Sequence, residues 1–207
     1  PTVTQPAASL ALEFCGMRFA SPIVLLSGCV GFGEEYTRVV GFSNRDVGAI
    51  CLKGTTGKAR LGNPPHRVYE TPMGMLNAIG LQNPGVDHVV RRILPTLDFS
   101  ETRFIANASG STVEEYIEVT ARFDDSPIDA IEINISCPNV KEGGVQFGNS
   151  PEMSARVVEA RALEVGKVGG DGRGRELEHG RHLAQAQLAP AEHGEHAEPD
   201  GAGEGLE

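Results

Sequence analysis

The sequence predicts an α/β fold built on a parallel sheet, and two observations indicate it. Four short apolar runs, at residues 23–26, 49–52, 103–106 and 130–135, are separated by segments with helical periodicity. Apolar strands that alternate with helices are typical of parallel βαβ units. Each run also ends in a small or polar residue, so candidate site side chains fall at the carboxyl ends of all four strands.

That spread favours a (β/α)8 TIM barrel over a doubly wound sheet. Barrel sites take side chains from the ends of several strands, whereas a doubly wound sheet binds ligands mainly at one crevice. The residues at the strand ends are Ser27, Gly28, Lys53, Asn107 and Asn134. Glycines 28, 31 and 33 have the spacing G-x-x-G-x-G, which is not the dinucleotide fingerprint, so a plain strand-to-helix turn is expected there.

The remaining elements follow from local patterns. Residues 10–14 and 17–19 predict a short hairpin that precedes the first apolar run. Helices are predicted at residues 35–41, 86–94 and 112–123. The last of these begins with a hydroxyl residue followed by two glutamates, which suits the positive end of a helix.

Composition narrows the function classes. The chain has 207 residues, enough for one domain, and its core must be mostly aliphatic because only 5% of the residues are aromatic. A net charge of −10 argues against a nucleic-acid partner. No apolar run approaches the roughly 20 residues of a membrane span, and residues 1–9 lack the features of a signal peptide. Four cysteines without CxxC spacing indicate neither zinc nor an iron–sulfur cluster, and they fit a reduced, cytoplasmic protein.

Composition also divides the chain after Glu159. Residues 1–159 have globular character, whereas residues 160–207 hold 10 Gly, 8 Ala and 8 Glu and no aromatic residue, Ile or Met. Such a segment cannot bury a core against its chain entropy, so it is interpreted as a disordered tail or as the product of a reading-frame shift. It contains two HxxH pairs, formed by His179, His182, His193 and His196. No scaffold fixes these histidines, and no metal site is predicted.

Residues 131–139 carry the most distinctive pattern, Ile-Glu-Ile-Asn-Ile-Ser-Cys-Pro-Asn. Its isoleucines alternate with polar residues at the period of a β-strand, and Pro138 ends the strand because it has no N–H to donate. Cys137 therefore stands where the strand runs into a loop, with Asn134 and Asn139 on either side. Two interpretations remain open here: a structural cysteine before a turn, or a thiol that moves a proton on a polar ring.

Two further segments have two interpretations each, and a third is interpreted as a flexible lid. Lys53 precedes the tight loop Gly-Thr-Thr-Gly, and it is either a solvated charge or a cation that stabilises negative charge on a bound ring or carboxylate. Residues 74–85 mix apolar residues with amides and glycines, and they either close over a flat ligand or form a packed connection. Residues 143–148 are rich in glycine and are interpreted as a lid.

Two of these segments resemble one enzyme family. Residues 77–85 read Asn-Ala-Ile-Gly-Leu-Gln-Asn-Pro-Gly, and residues 134–140 read Asn-Ile-Ser-Cys-Pro-Asn-Val, which is similar to dihydroorotate dehydrogenases. The first segment and the run Gly-Gly-Val-Gln-Phe-Gly at residues 143–148 resemble the class 1B catalytic subunits. The likeness covers residues 10–159. The related flavin domain of dihydropyrimidine dehydrogenase differs at the position of Asn139, so Asn139 favours the orotate enzyme.

The resemblance implies an FMN-binding barrel that oxidises dihydroorotate to orotate in pyrimidine (UMP) biosynthesis. Cys137 matches the catalytic base, which removes a proton from C5 of the substrate while a hydride passes from C6 to flavin N5. The positions that match substrate contacts are Lys53, Asn77, Ala78, Ile79, Gly80, Leu81, Asn134 and Asn139. The positions that match flavin contacts are Ser27, Gly28, Lys53, Gly54, Thr55, Asn107 and Asn134.

The resemblance also implies partners. Class 1B catalytic subunits form a homodimer within a heterotetramer, and their second subunit carries FAD and a [2Fe–2S] cluster that pass electrons to NAD. A complete barrel has about 250 residues, whereas family-like sequence here covers only the N-terminal half, within residues 1–159. Half a barrel exposes sheet edges and an apolar interior, so this polypeptide alone is expected neither to hold FMN nor to turn over substrate. The alternative is a catalytically inert remnant or interaction fragment of the enzyme.

Overall fold

The computed structural model of the protein describes residues 9–135 and 147–168. Its strands are β1 (Leu12–Phe14), β2 (Met17–Phe19), β3 (Val24–Leu25), β4 (Ala49–Cys51), β5 (Val68–Thr71), β6 (Gly74–Asn77), β7 (Arg103–Ser109) and β8 (Ala130–Asn134). Its helices are α1 (Val86–His88), α2 (Val113–Asp124) and α3 (Pro151–Val168). A π-helical turn at Val89–Ile93 and a 3-10 turn at Leu94–Thr96 continue α1.

A four-stranded parallel sheet lies at the centre of the described chain. Its strand order is β3-β4-β7-β8, so each strand pairs with the next sheet strand in the sequence. Val24 pairs with Ala49, Ala49 with Arg103, and Ile105 with Ala130. Two antiparallel hairpins, β1–β2 and β5–β6, form separate two-stranded units. The predicted parallel α/β sheet is thereby confirmed, and its closure into a barrel stays a prediction.

One face of this sheet packs against α2 and carries the core. Phe104, Ala106 and Ala108 of β7 are fully buried in one cluster with Val119 and Phe123 of α2. Side chains two residues apart on a strand point to the same face, so every second residue of β7 contributes to this cluster. The intervening residues of β7 therefore face the other side of the sheet.

Helix α2 begins at a cap encoded by its own sequence. The Thr112 hydroxyl accepts a hydrogen bond from the Glu115 N–H (3.2 Å), and the Glu115 carboxylate accepts one from the Ser111 N–H (2.7 Å). These bonds satisfy N–H groups that lack a partner within the helix. The helix predicted at residues 112–123 is confirmed within one residue at each end.

A one-residue bulge interrupts the pairing of β4 with β7. Cys51 pairs with Ile105, and a further bridge pairs Thr55 with Ala108. Four residue steps separate Cys51 from Thr55, but only three separate Ile105 from Ala108, so the β4 side holds one extra residue. Two backbone hydrogen bonds, of 2.9 and 2.8 Å, join Thr55 to β7 beyond this point. The bulge therefore falls where Lys53 stands.

The helix predicted at residues 35–41 is wrong. Only a 3-10 turn at Tyr36–Arg38 forms there, and Val39 is already extended, with ψ of 125°. The Glu35 carboxylate accepts hydrogen bonds from the N–H groups of Phe32 (3.0 Å) and Gly33 (3.1 Å), so its side chain folds back onto the preceding loop. No residue of the turn is buried, so no packed face stabilises a longer helix.

Other boundaries also differ from the sequence prediction. Strand β7 continues to Ser109, which places Asn107 inside the strand rather than after it. The first four residues of the predicted loop 74–85 form β6. The backbone of α3 is helical to Val168, past the compositional boundary after Glu159, while the interpretation of residues 160–207 as a tail stays a prediction. Within the described ranges, no helix has the length and apolar character needed to cross a membrane.

Candidate active site

Polar side chains gather on the face of the sheet opposite α2. We call this the polar face, and its members are Cys51, Lys53, Asn107, Ser109, Glu132 and Asn134. Side-chain alternation puts Asn107 and Ser109 there, because the β7 residues that alternate with them, Phe104, Ala106 and Ala108, pack against α2. Contacts between strands join the members: the Cys51 thiol lies 3.5 Å from a Glu132 oxygen, and the side chains of Asn134 and Asn107 are 3.2 Å apart.

Lys53 is held at the carboxyl end of β4 by its own main chain. Its N–H donates to the Gly31 carbonyl (2.7 Å), and its carbonyl accepts a hydrogen bond from the Thr55 hydroxyl (2.8 Å). The ammonium group lies beside Gly28, since a Cβ added at Gly28 would be 3.9 Å from Nζ. The lysine side chain is half-buried. The segments that follow β3 and β4 therefore meet at this cation, and the role of Lys53 in ligand binding stays a prediction.

Gly54 allows the loop after β4 to approach β7 closely. A Cβ at Gly54 would lie 2.9 Å from Oδ1 of Asn107, 3.2 Å from Oγ of Ser109 and 3.3 Å from Cδ2 of Leu81. The first distance is shorter than side-chain carbons tolerate. Glycine is therefore needed here for space, and its absence of a side chain brings Asn107 and Leu81 to the same loop.

The two asparagines of the polar face are linked to each other and to a carboxylate. Nδ2 of Asn107 donates to the Glu132 carboxylate, and Nδ2 of Asn134 donates to Oδ1 of Asn107 (3.2 Å). The Ser109 hydroxyl also donates to Oδ1 of Asn107 (3.4 Å). Asn107 is only 1% exposed, so this amide is fixed rather than solvated. The polar face thus offers oriented amides, and Oδ1 of Asn107 lies against Gly54, the residue that follows Lys53. Oriented amides and a cation suit a polar ring with a negative charge.

Cys51 is the buried member of the polar face on β4. Burial raises the pKa of the Cys51 thiol far above its ordinary value, and the neighbouring Glu132 carboxylate raises it further. The group therefore stays a thiol, and its S–H donates to Glu132 (3.5 Å). A thiol that keeps its proton is a poor nucleophile, so Cys51 is a structural donor.

Asn134 ends β8 and is fixed from the side of α2. The Tyr116 hydroxyl donates to the main-chain carbonyl of Asn134 (2.6 Å). The ring of Tyr116 packs edge-to-face against Phe147, with 5.5 Å between ring centroids. Cys137 and Asn139 follow in the chain and lie outside the described residues, as do residues 143–146 of the predicted lid. Their assigned roles stay predictions.

The predicted substrate segment reaches the site at one end. Leu81 is buried beside Gly54 and has a positive φ of 53°, which is rare for a residue with a side chain. Gly80 precedes it at φ 78°, and a Cβ there would lie 2.8 Å from Asn63. This pair turns the chain sharply, so that Leu81 packs on the loop that holds Lys53.

The other end of this segment is fixed to a loop at Asn63. Asn63 holds it, because its side chain donates to the Ala78 carbonyl (2.7 Å) and its N–H donates to the Ile79 carbonyl (2.9 Å). Asn77 is exposed at the end of β6. The contacts among the described residues do not bring Asn77 to the amide pair, so its role as a substrate contact stays a prediction.

Asn83 is a supporting residue that the sequence prediction missed. Its Oδ1 accepts hydrogen bonds from the N–H groups of Thr56 (3.2 Å) and Gly85 (2.9 Å), and its Nδ2 donates to the Leu81 carbonyl (2.7 Å). Asn83 is 5% exposed, so it pins the predicted substrate segment to the loop after β4. An amide within a Gly- and Pro-rich loop was the available signal.

Glu132 was also missed, although the sequence carried its signal. It stands two residues before Asn134, and the period of a strand puts both on one face. A carboxylate on the same face as a predicted site amide is a candidate partner for it.

Within the part of the chain that the structure describes, no cluster of three or more acidic, cysteine or histidine side chains could hold a metal ion.

These features define an α/β protein with a candidate ligand site at the carboxyl ends of parallel strands. The model of the dihydroorotate dehydrogenase family matches residues 9–169. The chain therefore belongs to the dihydroorotate dehydrogenase family, and the resemblance noted in its sequence is confirmed.

Curated relatives agree with this assignment. The chain is 53% identical over 152 residues to the protein of Anoxybacillus flavithermus named dihydroorotate dehydrogenase B (NAD(+)), catalytic subunit. It is 50% identical over 152 residues to the same-named protein of Listeria monocytogenes, and 52% identical over 149 residues to that of Geobacillus kaustophilus. These matches cover 72–73% of the chain and 47–49% of the relatives. The chain thus spans about half the length of the curated relatives it matches.

Proposed function

We propose that this chain carries the catalytic site of a dihydroorotate dehydrogenase that oxidises dihydroorotate to orotate. The single observation that carries this proposal is the convergence of Lys53, Asn107 and Asn134 at the carboxyl ends of three parallel strands. Fixed amides select a ring with alternating N–H and C=O groups, because a ligand that lacks a partner for them leaves a buried polar group unpaired. The ammonium group of Lys53, at the end of the neighbouring strand, suits the substrate carboxylate and a flavin that becomes anionic.

The residues present fit FMN. Gly28 leaves space beside the ammonium group, because a Cβ there would meet only Nζ of Lys53, at 3.9 Å, so a flat ring system can lie against the main chain at this point. Lys53, Asn107 and Asn134 would hold it, together with Ser27 and Thr55. FMN, when bound, supplies the acceptor for the hydride that leaves C6 of dihydroorotate.

The chain's own residues would carry the proton and the orientation. We assign to Cys137 the removal of the C5 proton, because it matches the catalytic base of the family and follows Asn134 by three residues in the sequence. Asn77, Asn134 and Asn139 would orient the pyrimidine ring, and residues 78–81 would cover it. Lys53 would stabilise the charge that develops on the ring system.

The names of the relatives support a partner for this site. They are called catalytic subunits of an NAD(+) enzyme, which fits onward electron transfer to NAD through a second subunit. We extend this to a partner with FAD and a [2Fe–2S] cluster, a homodimer within a heterotetramer, and a cytoplasmic setting. In this proposal residues 1–159 provide the N-terminal half of an FMN-binding barrel.

The test compares the 207-residue chain with a joined protein, in which Val168 is followed by the remaining part of the Geobacillus kaustophilus relative. The joined protein is expected to purify with FMN and to form orotate from dihydroorotate with a dye acceptor, but not uracil from dihydrouracil. Cys137→Ala should lower kcat by about 10²- to 10⁴-fold. Cys29→Ala is the matched control, since Cys29 is an exposed thiol.

The outcomes separate the two hypotheses. A joined protein that folds and holds FMN but makes no orotate would contradict the proposed activity. The 207-residue chain alone is expected to purify without flavin. One equivalent of flavin in that chain would show that FMN binding needs no further barrel sequence. Resequencing the gene around the Ala160 codon tests the reading-frame hypothesis directly.

A further inference from the structure

The hydrogen bonds of the polar face run in one direction, and Glu132 stands at their end. The Cys51 thiol and Nδ2 of Asn107 both donate to the same oxygen of Glu132. Oδ1 of Asn107 then accepts from Nδ2 of Asn134 (3.2 Å). The chain of bonds therefore runs from Asn134 to Asn107 to Glu132, across β8 and β7.

This direction follows from the chemistry of a carboxylate. An ionised carboxylate has no hydrogen to donate, so the end of the Asn107 amide that faces Glu132 must be its NH2 group. The carbonyl oxygen of Asn107 must then face Asn134, and an acceptor there requires the NH2 group of Asn134 to point toward it. An asparagine without such a neighbour can turn its amide over at small cost.

One further hydrogen bond supports this orientation of Asn107. Oδ1 of Asn107 accepts a second hydrogen bond from the Ser109 hydroxyl (3.4 Å). The same oxygen occupies the space beside Gly54, where a Cβ would be 2.9 Å away. The oxygen thus lies where a donor faces it and where the neighbouring backbone leaves room.

We propose that Glu132 is a positioning residue, whose carboxylate sets the amide orientation of Asn107 and, through Asn107, that of Asn134. The two amides are the ones assigned to flavin and substrate in the proposed function, so the importance of Glu132 for ligands depends on that proposal. The control of both amide orientations by Glu132, which we call the relay, does not depend on the proposed function. Among the contacts of the described residues, Glu132 is linked to Asn134 by way of Asn107, and this makes the proposal testable at a residue that the described contacts of Glu132 do not include.

The experiment measures hydrogen exchange of side-chain amides by NMR in the full 207-residue chain, labelled with ¹⁵N-asparagine. Single variants of Asn107 and Asn134 assign the two NH2 signals. Glu132→Met removes the acceptor at similar side-chain length. We expect exchange at both Asn107 and Asn134 to accelerate by roughly tenfold, the equivalent of one hydrogen bond.

Two companion variants separate the relay from general loosening. Glu132→Asp keeps the carboxylate but withdraws it by one methylene, and it should accelerate both side chains in the same direction by a smaller factor. Ile105→Val is the matched control, because Ile105 precedes Asn107 by two residues in β7. It should leave both NH2 signals as in the parent chain, and the backbone amides of β8 should keep their protection in all folded variants.

The relay is refuted if exchange at Asn134 is unchanged in a folded Glu132→Met protein while exchange at Asn107 rises. Should Glu132→Met fail to fold, the same comparison in Glu132→Asp decides. Because the measurement needs neither FMN nor dihydroorotate, the two proposals fail separately. An intact relay without orotate formation in the joined protein refutes the activity alone, and a broken relay with orotate formation refutes only the role of Glu132.

Discussion

The hydroxyl of Tyr116 donates a 2.6 Å hydrogen bond to the main-chain carbonyl of Asn134. One residue belongs to the helix that covers the sheet, and the other ends the strand that leads to Cys137. The bond therefore couples the position of α2 to the point from which the proposed catalytic loop departs.

Tyr116→Phe removes this bond and leaves the ring in place. The free energy of unfolding should fall by about 1–2 kcal/mol, because a carbonyl at a partly buried strand end loses its partner. Urea denaturation measures the change. Tyr36→Phe is the control, since Tyr36 is 41% exposed and its variant should stay within roughly 0.5 kcal/mol of the parent. Equal effects of the two variants would contradict a specific role for the Tyr116 hydroxyl.

Gly54→Ala should damage the site through space alone. The new methyl group would lie 2.9 Å from the Asn107 oxygen and force it to move, at a cost of about 1–3 kcal/mol in stability. The matched variant is Gly57→Ala in the same loop, where the nearest atom is 3.4 Å away and ordinary contact results. Thermal denaturation and FMN affinity of the joined protein give the comparison. Equal losses of FMN affinity in the two variants would show that the collision with Asn107 is not the cause.

Gly33 and Gly41 allow backbone strain to be separated from collision. Both have positive φ, of 94° and 86°. A Cβ at Gly33 would lie 2.8 Å from the buried ring of Phe104, whereas one at Gly41 meets nothing within 4 Å. Gly41→Ala should cost roughly 1–2 kcal/mol from φ alone. Gly33→Ala should cost about 1–3 kcal/mol more. Chemical denaturation of the two variants tests this, and equal losses would exclude the collision with Phe104.

Cys51 should make stability fall in alkaline solution. Its folded pKa is raised, so the folded state keeps a proton that the unfolded thiol loses near pH 9.0. Its contribution to stability is therefore complete below that pH and is lost as pH rises above it, by up to roughly 1.4 kcal/mol per pH unit. Urea denaturation between about pH 8 and about pH 10 should show this slope in the parent chain and a shallower one in Cys51→Ala.

An exposed cysteine supplies the control for that slope. Cys29 is free and exposed, so Cys29→Ala should keep the alkaline slope of the parent. The prediction concerns the difference between variants, which removes the titration of lysines and tyrosines common to all of them. A Cys51→Ala protein with the parent's slope would show that the thiol ionises in the folded state.

The sheet could be predicted because its strands are encoded locally. Each of the four apolar runs carries its own end signal, and α2 carries its own cap at Thr112 and Glu115. The failed helix at residues 35–41 shows the limit of such signals. Its pattern was helical, but no face of it is buried in the fold, and burial is what stabilises most short helices.

The sequence indicates which residues belong to the candidate site, but it indicates only part of their arrangement in space. Lys53 and the two asparagines follow from their places near strand ends, while Glu132 could have been found by counting two residues back from Asn134. The approach of Leu81 to Gly54 could not, because it depends on a positive φ at a residue with a side chain. Such a conformation is imposed by tertiary contacts rather than by local preference.

The extra residue between Cys51 and Thr55 makes the length of this segment a constraint of its own. With one residue fewer, regular pairing would put Lys53 in the ladder directly opposite Asn107. Substitutions here alter contacts, but a deletion would reassign the main chain itself. Sequences that share this site should therefore vary in residue type across the step without gaining or losing a position.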